Sequence, residues 1–162
     1  MTTEPLAPPP AGVDADAWTA ACAAVRAYCE WHVAPSVTET VTVDGSGSRV
    51  QLLPTLHLTA LTSITNDGTA VTDPEWSNFG MVRAPGCGAW TSRWRGVVAT
   101  ITHGYDECPA EVLDVVRDMV AAGGRAGVAA VTNHDHSVTY DASTLDRRQR
   151  SVLDMYRRPA LA

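Results

Sequence analysis

The stretch from Gly96 to Val120 constrains the fold most, because it joins an apparent buried strand to an amphipathic helix through a tight turn. Residues 97–102 are VVATIT, a β-branched run typical of a buried strand. Pro109 then stands where the first residue of a helix tolerates proline, since an amide there has no partner within the helix. Beyond it, Val and Met recur every three or four residues, which predicts a helix over Pro109–Ala122 with one apolar face. We therefore expect this stretch to form the core of the domain.

Two more helices are predicted, one near each end of the chain. Apolar residues at helical spacing indicate a first helix from Asp14, a suitable N-cap, to about Ala34. Ser143 followed by Asp146 resembles a capping box and opens a last helix that ends at Arg157. The first 13 residues contain four prolines and almost nothing to bury, so they are expected to be a disordered tail. The prediction is one domain over residues 14–158, with tails at 1–13 and 159–162.

The region between the first two helices, from Ser36 to about His103, alternates with the period of two that is typical of strands. The glycines and serines of residues 44–47 predict a turn, after which residues 49–53 can return as the second strand of a hairpin. Residues 56–65 are predicted to form a strand that ends in a tight Asn-Asp-Gly turn. Shorter strands are predicted at 79–82 and 136–140, whereas residues 73–77 are expected to be a loop and 128–131 helix or coil. The fold class predicted is α+β, a helical scaffold with an inserted antiparallel β region.

Composition excludes several classes of function. The twelve basic residues include no lysine, so a P-loop is excluded. The net charge of −6 disfavours a domain that binds nucleic acid over its whole surface. No apolar run approaches the roughly 18 residues of a membrane span, and the N-terminus shows no signal pattern, so we expect a soluble cytosolic protein without a membrane partner. The four cysteines form no C-x-x-C pair and are expected to be free thiols: Cys22, Cys29, Cys87 and Cys108.

Few residues suggest chemistry. His134-Asp135-His136 could bind a divalent metal, but it offers too few ligands for a closed site, and chance polar loop residues explain it as well. His103 could act as a base beside Asp106, or simply hydrogen-bond at the end of its strand. The C-terminal arginines form the main basic concentration and could be either a solvated helix face or a docking surface: Arg147, Arg148, Arg150, Arg157 and Arg158.

Several segments together resemble the head-to-tail adaptor (head-tail connector, head completion) proteins of long-tailed bacteriophages. They are Leu52-Leu53-Pro54, the strand ending T-H-G-Y with Pro109 four residues further on, Ser137-Val138-Thr139-Tyr140, and the closing Tyr156-Arg157-Arg158. The resemblance covers roughly Asp14 to Arg158, and its most specific motif consists of His103, Gly104, Tyr105 and Pro109. It implies a structural virion protein, not an enzyme, with no cofactor and no metal. Such adaptors form a dodecameric ring under the portal protein, continue the DNA channel and dock the next neck or tail component.

The resemblance leads to two site hypotheses. The C-terminal arginines named above would dock the portal, and Asp44, Asp67 and Asp73, chosen by loop position, would face the channel. An acidic channel lets double-stranded DNA pass without specific binding, because like charge gives no counterion release. The protein would be located at the head–tail junction of the virion, and in the host cytoplasm during assembly. The alternatives are another neck or tail ring such as a tail terminator, or a small metal-dependent hydrolase using His134-Asp135-His136.

Overall fold

The computed structural model describes residues 4–123, 130–133, 136–139 and 145–158. Within these ranges the chain forms three helices and nine short strands. In chain order they are α1 (Ala15–Cys29), β1 (Val37–Val43), β2 (Val50–Leu52), β3 (Leu58–Asn66), β4 (Thr69–Ala70), β5 (Glu75–Trp76), β6 (Met81–Arg83), β7 (Val97–His103), α2 (Ala110–Gly123), β8 (Ala130–Asn133), β9 (His136–Thr139) and α3 (Arg147–Asp154). Contacts group the chain into a helical unit (Met1–Cys29 and Cys108–Arg157) and a β unit (Glu30–Glu107 and Arg158–Ala162).

The helical unit buries the apolar faces of its three helices. The buried side chains include Trp18, Cys22 and Val25 of α1, Val112, Val115 and Val116 of α2, and Leu153 of α3. Asp14 caps α1 as predicted, since its Oδ1 accepts a hydrogen bond from the Ala17 amide at 2.7 Å. The helix ends at Cys29 rather than near Ala34, because Glu30 adopts the left-handed conformation with φ of 65°.

The segment that precedes α1 departs from the expectation of a tail with almost nothing to bury. Leu6 is only 2% exposed, and the Trp18 indole N–H donates to the Ala7 carbonyl at 2.7 Å. The Arg26 guanidinium also donates to the carbonyl of Glu4. Residues 4–7 therefore contribute to the core of the helical unit.

The last helix begins three residues later than a cap at Ser143 would place it. Asp146 is the N-cap: its carboxylate accepts from the Gln149 amide at 2.7 Å, and Gln149 Oε1 accepts from the Asp146 amide at 2.9 Å. This is a complete capping box with Asp and Gln in place of Ser and Glu. Ser143 lies outside the described residues. Within the unit, the Tyr28 hydroxyl donates to Asp154 at 2.7 Å and the Tyr156 hydroxyl to Glu111 at 3.1 Å, which joins α3 to α1 and α2.

The β unit contains two antiparallel sheets. The four-stranded sheet has the order β1-β7-β3-β4, and the three-stranded sheet has the order β2-β6-β5. The central β7 alternates strictly between buried and half-buried residues, so the strand predicted to be buried directs one face into the core. The core also contains Leu53, Leu58, Ile64, Val82 and Trp90. Since this β region lies in the chain between α1 and α2, the predicted α+β class is confirmed.

The hairpin predicted for residues 41–53 is wrong. β1 pairs with β7, and β2 pairs with β6 in the other sheet. The glycines between them do not make a hairpin turn, because the amides of Gly45 and Gly47 donate instead to the carbonyls of Arg93 and Thr91, each at 2.9 Å. The loop is thus tied to a distant loop, and the chain passes from one sheet to the other.

Other strand predictions are closer to the structure. β3 and β4 are joined by a two-residue turn in which Asp67 and Gly68 have φ of 54° and 81°, as the Asn-Asp-Gly sequence predicts. The loop predicted at 73–77 contains the two-residue strand β5. β8 pairs with β9, which confirms a strand within 136–140 but shows strand instead of helix or coil at Ala130 and Val131.

Candidate functional site

The T-H-G-Y motif lies where the chain enters and leaves the β unit. His103 ends β7 and is 1% exposed, and its Nε2 donates to Glu39 Oε1 of the neighbouring β1 at 3.0 Å. Its Nδ1 is buried and has no hydrogen-bond partner among the described residues. Burial lowers the pKa of His103, and the hydrogen bond to Glu39 opposes that shift. Of the two roles considered for His103, the structure shows the hydrogen bond at the strand end, and the partner is Glu39 of β1.

Gly104 and Tyr105 complete this junction. Gly104 has φ of 96°, and a Cβ at this position would lie 3.0 Å from the Pro35 carbonyl oxygen. The Tyr105 amide donates to the Val33 carbonyl at 2.8 Å, and its ring stacks on His57 with centroids 4.2 Å apart. The most specific part of the sequence resemblance is thus a structural junction in which glycine is required.

Three loops meet at the end of the four-stranded sheet that is remote from this junction. We call them the tip loops: residues 44–48, 66–69 and 91–96. The Arg95 amide donates to Asp44 Oδ1 at 2.7 Å, and the Asp67 amide donates to the Gly96 carbonyl at 2.7 Å. The Arg93 guanidinium binds both carboxylate oxygens of Asp67, at 2.9 and 3.1 Å. The tip loops are therefore held together by backbone and side-chain bonds.

The tip loops bring together two of the three aspartates predicted to face a channel. Asp44 and Asp67 both accept hydrogen bonds within the tip, whereas Asp73 lies separately, exposed in the segment between β4 and β5 with φ of 51°. Trp94 stands between Arg93 and Arg95 and is 87% exposed, in contrast to Trp90, which is buried and donates its indole N–H to the Val82 carbonyl at 3.1 Å.

A groove of about 710 Å³ that the sequence analysis did not predict opens beside the β1–β2 loop. Apolar residues form much of its lining: Leu52, Leu53, Pro54, Leu56 and Phe79. Three charged residues also line it: Asp44, Arg95 and Arg158. The outer face of the three-stranded sheet continues the apolar surface, because alternate residues of β2 and β6 are exposed: Val50, Leu52 and Met81, with Trp76 of β5. The adjacent leucines Leu52 and Leu53 could have indicated this exposed apolar surface, because neighbouring side chains in a strand point to opposite faces.

The predicted docking arginines are accessible. Arg147, Arg148 and Arg150 are exposed in α3, and the capping box fixes the first turn from which they project. Arg157 lies 5.3 Å from the centroid of the Tyr28 ring, a cation–π contact within the helical unit. Arg158 is half-buried and lines the groove of the β unit.

His134 and Asp135 lie outside the described residues, as does the side chain of His136. Among the residues that the structure describes, no group of three or more His, Cys, Asp or Glu side chains could hold a metal ion. In the same part of the chain, no helix is long and apolar enough to cross a membrane. The four cysteines are free thiols, as predicted, and burial raises the pKa of both Cys29 and Cys108 to about 12.

No protein-family model matches the chain, and no curated protein sequence matches it. Solved structures do match its fold. A chain from the neck of a native gene transfer agent (GTA) particle, computed with C12 symmetry, has a TM-score of 0.61 and 15% identity, over 91% of this chain and 82% of that chain. A chain from the neck of an empty particle, computed with C6 symmetry, has a TM-score of 0.57 and 16% identity, over 98% and 86%. A chain from the virion of the native particle has a TM-score of 0.56 and 15% identity, over 91% and 77%. The fold is therefore one found in the neck of a phage-like particle, as the sequence resemblance predicts.

Proposed function

We propose that this chain is a structural virion protein that forms a ring in the neck of a phage-like particle, between the portal and the next neck or tail component. The observation that carries the proposal is the fold match to chains of symmetric particle necks, which extends over nine tenths or more of this chain. The sequence motif T-H-G-Y points to the same class independently of the fold.

In this proposal the ring continues the DNA channel, and the protein is an adaptor with twelve copies. The acidic net charge of −6 supports a conduit that does not hold DNA, because phosphates gain nothing from an acidic wall. The test is electron microscopy of the purified chain mixed with the portal protein encoded by the same genome. Twelve-fold rings seated on the portal are expected. A ring of another order away from the portal would favour a different neck ring, such as a tail terminator, and the absence of rings would refute the proposal.

The portal contact is assigned to the basic face of α3. Its three arginines fall within four consecutive residues and are exposed, so an acidic partner surface would attract them at long range. Replacing Arg147, Arg148 and Arg150 by Gln should weaken portal binding about tenfold at low salt, with the difference shrinking as salt screens the charges.

A matched control removes the same number of positive charges elsewhere. Arg49, Arg83 and Arg117 are also exposed, and their replacement by Gln should leave portal binding unchanged. Equal binding by both triple variants, measured by surface plasmon resonance, would remove the docking role from α3.

The channel-facing role assigned to acidic residues is tested most cleanly at Asp73. Reversing Asp44 or Asp67 would also break the hydrogen bonds that hold the tip loops, whereas Asp73 lies outside them. In particles that carry Asp73→Lys, DNA ejection is expected to slow, because a cationic side chain in the channel attracts the phosphates. Unchanged ejection kinetics would show that Asp73 does not face the DNA.

A further inference from the structure

Trp94 has the properties of an anchor for another protein. Its side chain is 87% exposed, although the loop that carries it is fixed by bonds from Asp44, Gly45 and Asp67. Gly45 is packed so closely that a Cβ there would lie 2.0 Å from the Thr91 carbonyl oxygen. A tryptophan on a pre-ordered loop loses little conformational entropy when it is buried by a partner, which is typical of interface hot spots.

The charges around Trp94 favour a protein pocket over nucleic acid. Arg93 is neutralised by Asp67 through the two-oxygen contact described above, and Asp44 lies against the backbone of Arg95. The tip loops thus carry two arginines and two aspartates among these four residues, which leaves no net positive charge for a phosphate backbone. An apolar recess is the surface that would gain most from the indole.

The same unit carries such a recess. The groove beside the β1–β2 loop has an apolar lining that includes Leu52, Leu56 and Phe79, and Phe79 is 60% exposed. At about 710 Å³ it is large enough to take an aromatic side chain together with its flanking residues. Trp94 does not line the groove of its own chain.

We propose that Trp94 of one copy packs into this groove on the next copy around the ring. This inference rests on the proposed function, because a closed ring needs a heterologous contact in which each copy presents two different patches. The chain offers one protruding apolar side chain and one apolar recess in the same unit, and its fold occurs in necks computed with C12 and C6 symmetry. Arg95 and Asp44, which line the groove, would lie at the rim of the contact.

Chemical cross-linking tests the contact. Ser92→Cys, two residues from the retained Trp94, and Phe79→Cys are combined in a Cys87→Ser background, because Cys87 is exposed and the other three cysteines are buried. The full chain is assembled with the portal protein, treated with a short bismaleimide and run on a denaturing gel. A ladder of covalent multimers beyond the dimer is expected from the double variant, and no ladder from either single-cysteine variant.

The outcomes separate this inference from the proposed function. Rings in micrographs of the same sample without a ladder would overturn the Trp94 contact and leave the ring in place. Products that stop at the dimer would show a two-fold contact and overturn it as well. If the unsubstituted chain forms no rings with the portal, the proposed function fails and this inference fails with it.

A loss-of-contact variant adds a quantitative measure. Trp94→Ala should raise the protein concentration needed for ring assembly at least tenfold. Trp76→Ala removes the same type of side chain, 42% exposed and outside the groove, and should leave assembly unchanged. Equal effects of the two variants would contradict a specific role for Trp94.

Discussion

Replacement of Gly104 by alanine is expected to destabilise the β unit by about 3 kcal/mol. One part comes from the backbone, because φ of 96° is a conformation that costs a residue with a Cβ roughly 1–3 kcal/mol. A second part is steric, since the new methyl group would lie 3.0 Å from the Pro35 carbonyl oxygen and 3.2 Å from the His32 ring. Such overpacking costs about 1–3 kcal/mol where the neighbour is backbone that cannot move freely.

Gly68→Ala is the matched control. Gly68 also has a positive φ, 81°, but a Cβ there would meet nothing within 4 Å, so only the conformational cost of about 1–2 kcal/mol applies. Both variants are unfolded in urea and followed by tryptophan fluorescence, for which Trp31, 3% exposed and 6.2 Å from the Tyr105 ring, is a reporter beside Gly104. The steric part alone should make Gly104→Ala less stable than Gly68→Ala by about 1–2 kcal/mol. If the two free energies of unfolding agree within about 0.5 kcal/mol, the close packing described for Gly104 is refuted.

Three further predictions follow from buried or capping groups. Burial raises the pKa of Cys29 and Cys108 to about 12 and also raises that of Cys22. Only the exposed Cys87 should therefore react with a thiol reagent at neutral pH in the native protein, whereas all four cysteines should react after denaturation. Two or more fast-reacting thiols in the native protein would contradict the burial of the other three. Burial lowers the pKa of His103 below its unfolded value of about 6.5, so the unfolded state binds more protons and stability should rise with pH up to about 6.5 and then level off. His103→Asn should flatten that rise in denaturation measured from pH 5 to 8, and an unchanged slope would assign it to other groups. Asp146→Ala should cost about 1 kcal/mol through loss of the α3 cap, against less than about 0.5 kcal/mol for the exposed Asp118→Ala, and equal costs would exclude a capping role.

The sequence predicted local elements well where a single physical signal dominated. The β-branched run of β7, the proline before α2 and the Asp-Gly turn after β3 each have one favourable structure, and the chain adopts it. The start of the last helix was predicted wrongly at Ser143, because Asp146 and Gln149 form a capping box three residues later. Periodicity could not choose between these two starting points, since the helical pattern continues through both.

Long-range pairing could not be predicted in the same way. The segment after Val43 contains the residues of a hairpin turn, but the partner of β1 is β7, more than fifty residues away. Hydrogen bonds from Gly45 and Gly47 to the 91–93 loop hold this segment away from a hairpin turn, and no local sequence pattern predicts them. For the same reason the sequence singled out Asp44 and Asp67 by loop position alone, and could not show that both carboxylates hold the tip loops together.

The hydrogen bond between the Tyr105 amide and the Val33 carbonyl has a consequence for protein engineering. It places the incoming and outgoing backbone of the β unit side by side, at a donor–acceptor distance of 2.8 Å. Because the two backbones lie within hydrogen-bond distance of each other, we expect that a short linker can replace the sheets between these two residues. A miniature of the helical unit made in this way would carry α3 and its arginines without any of the tip loops.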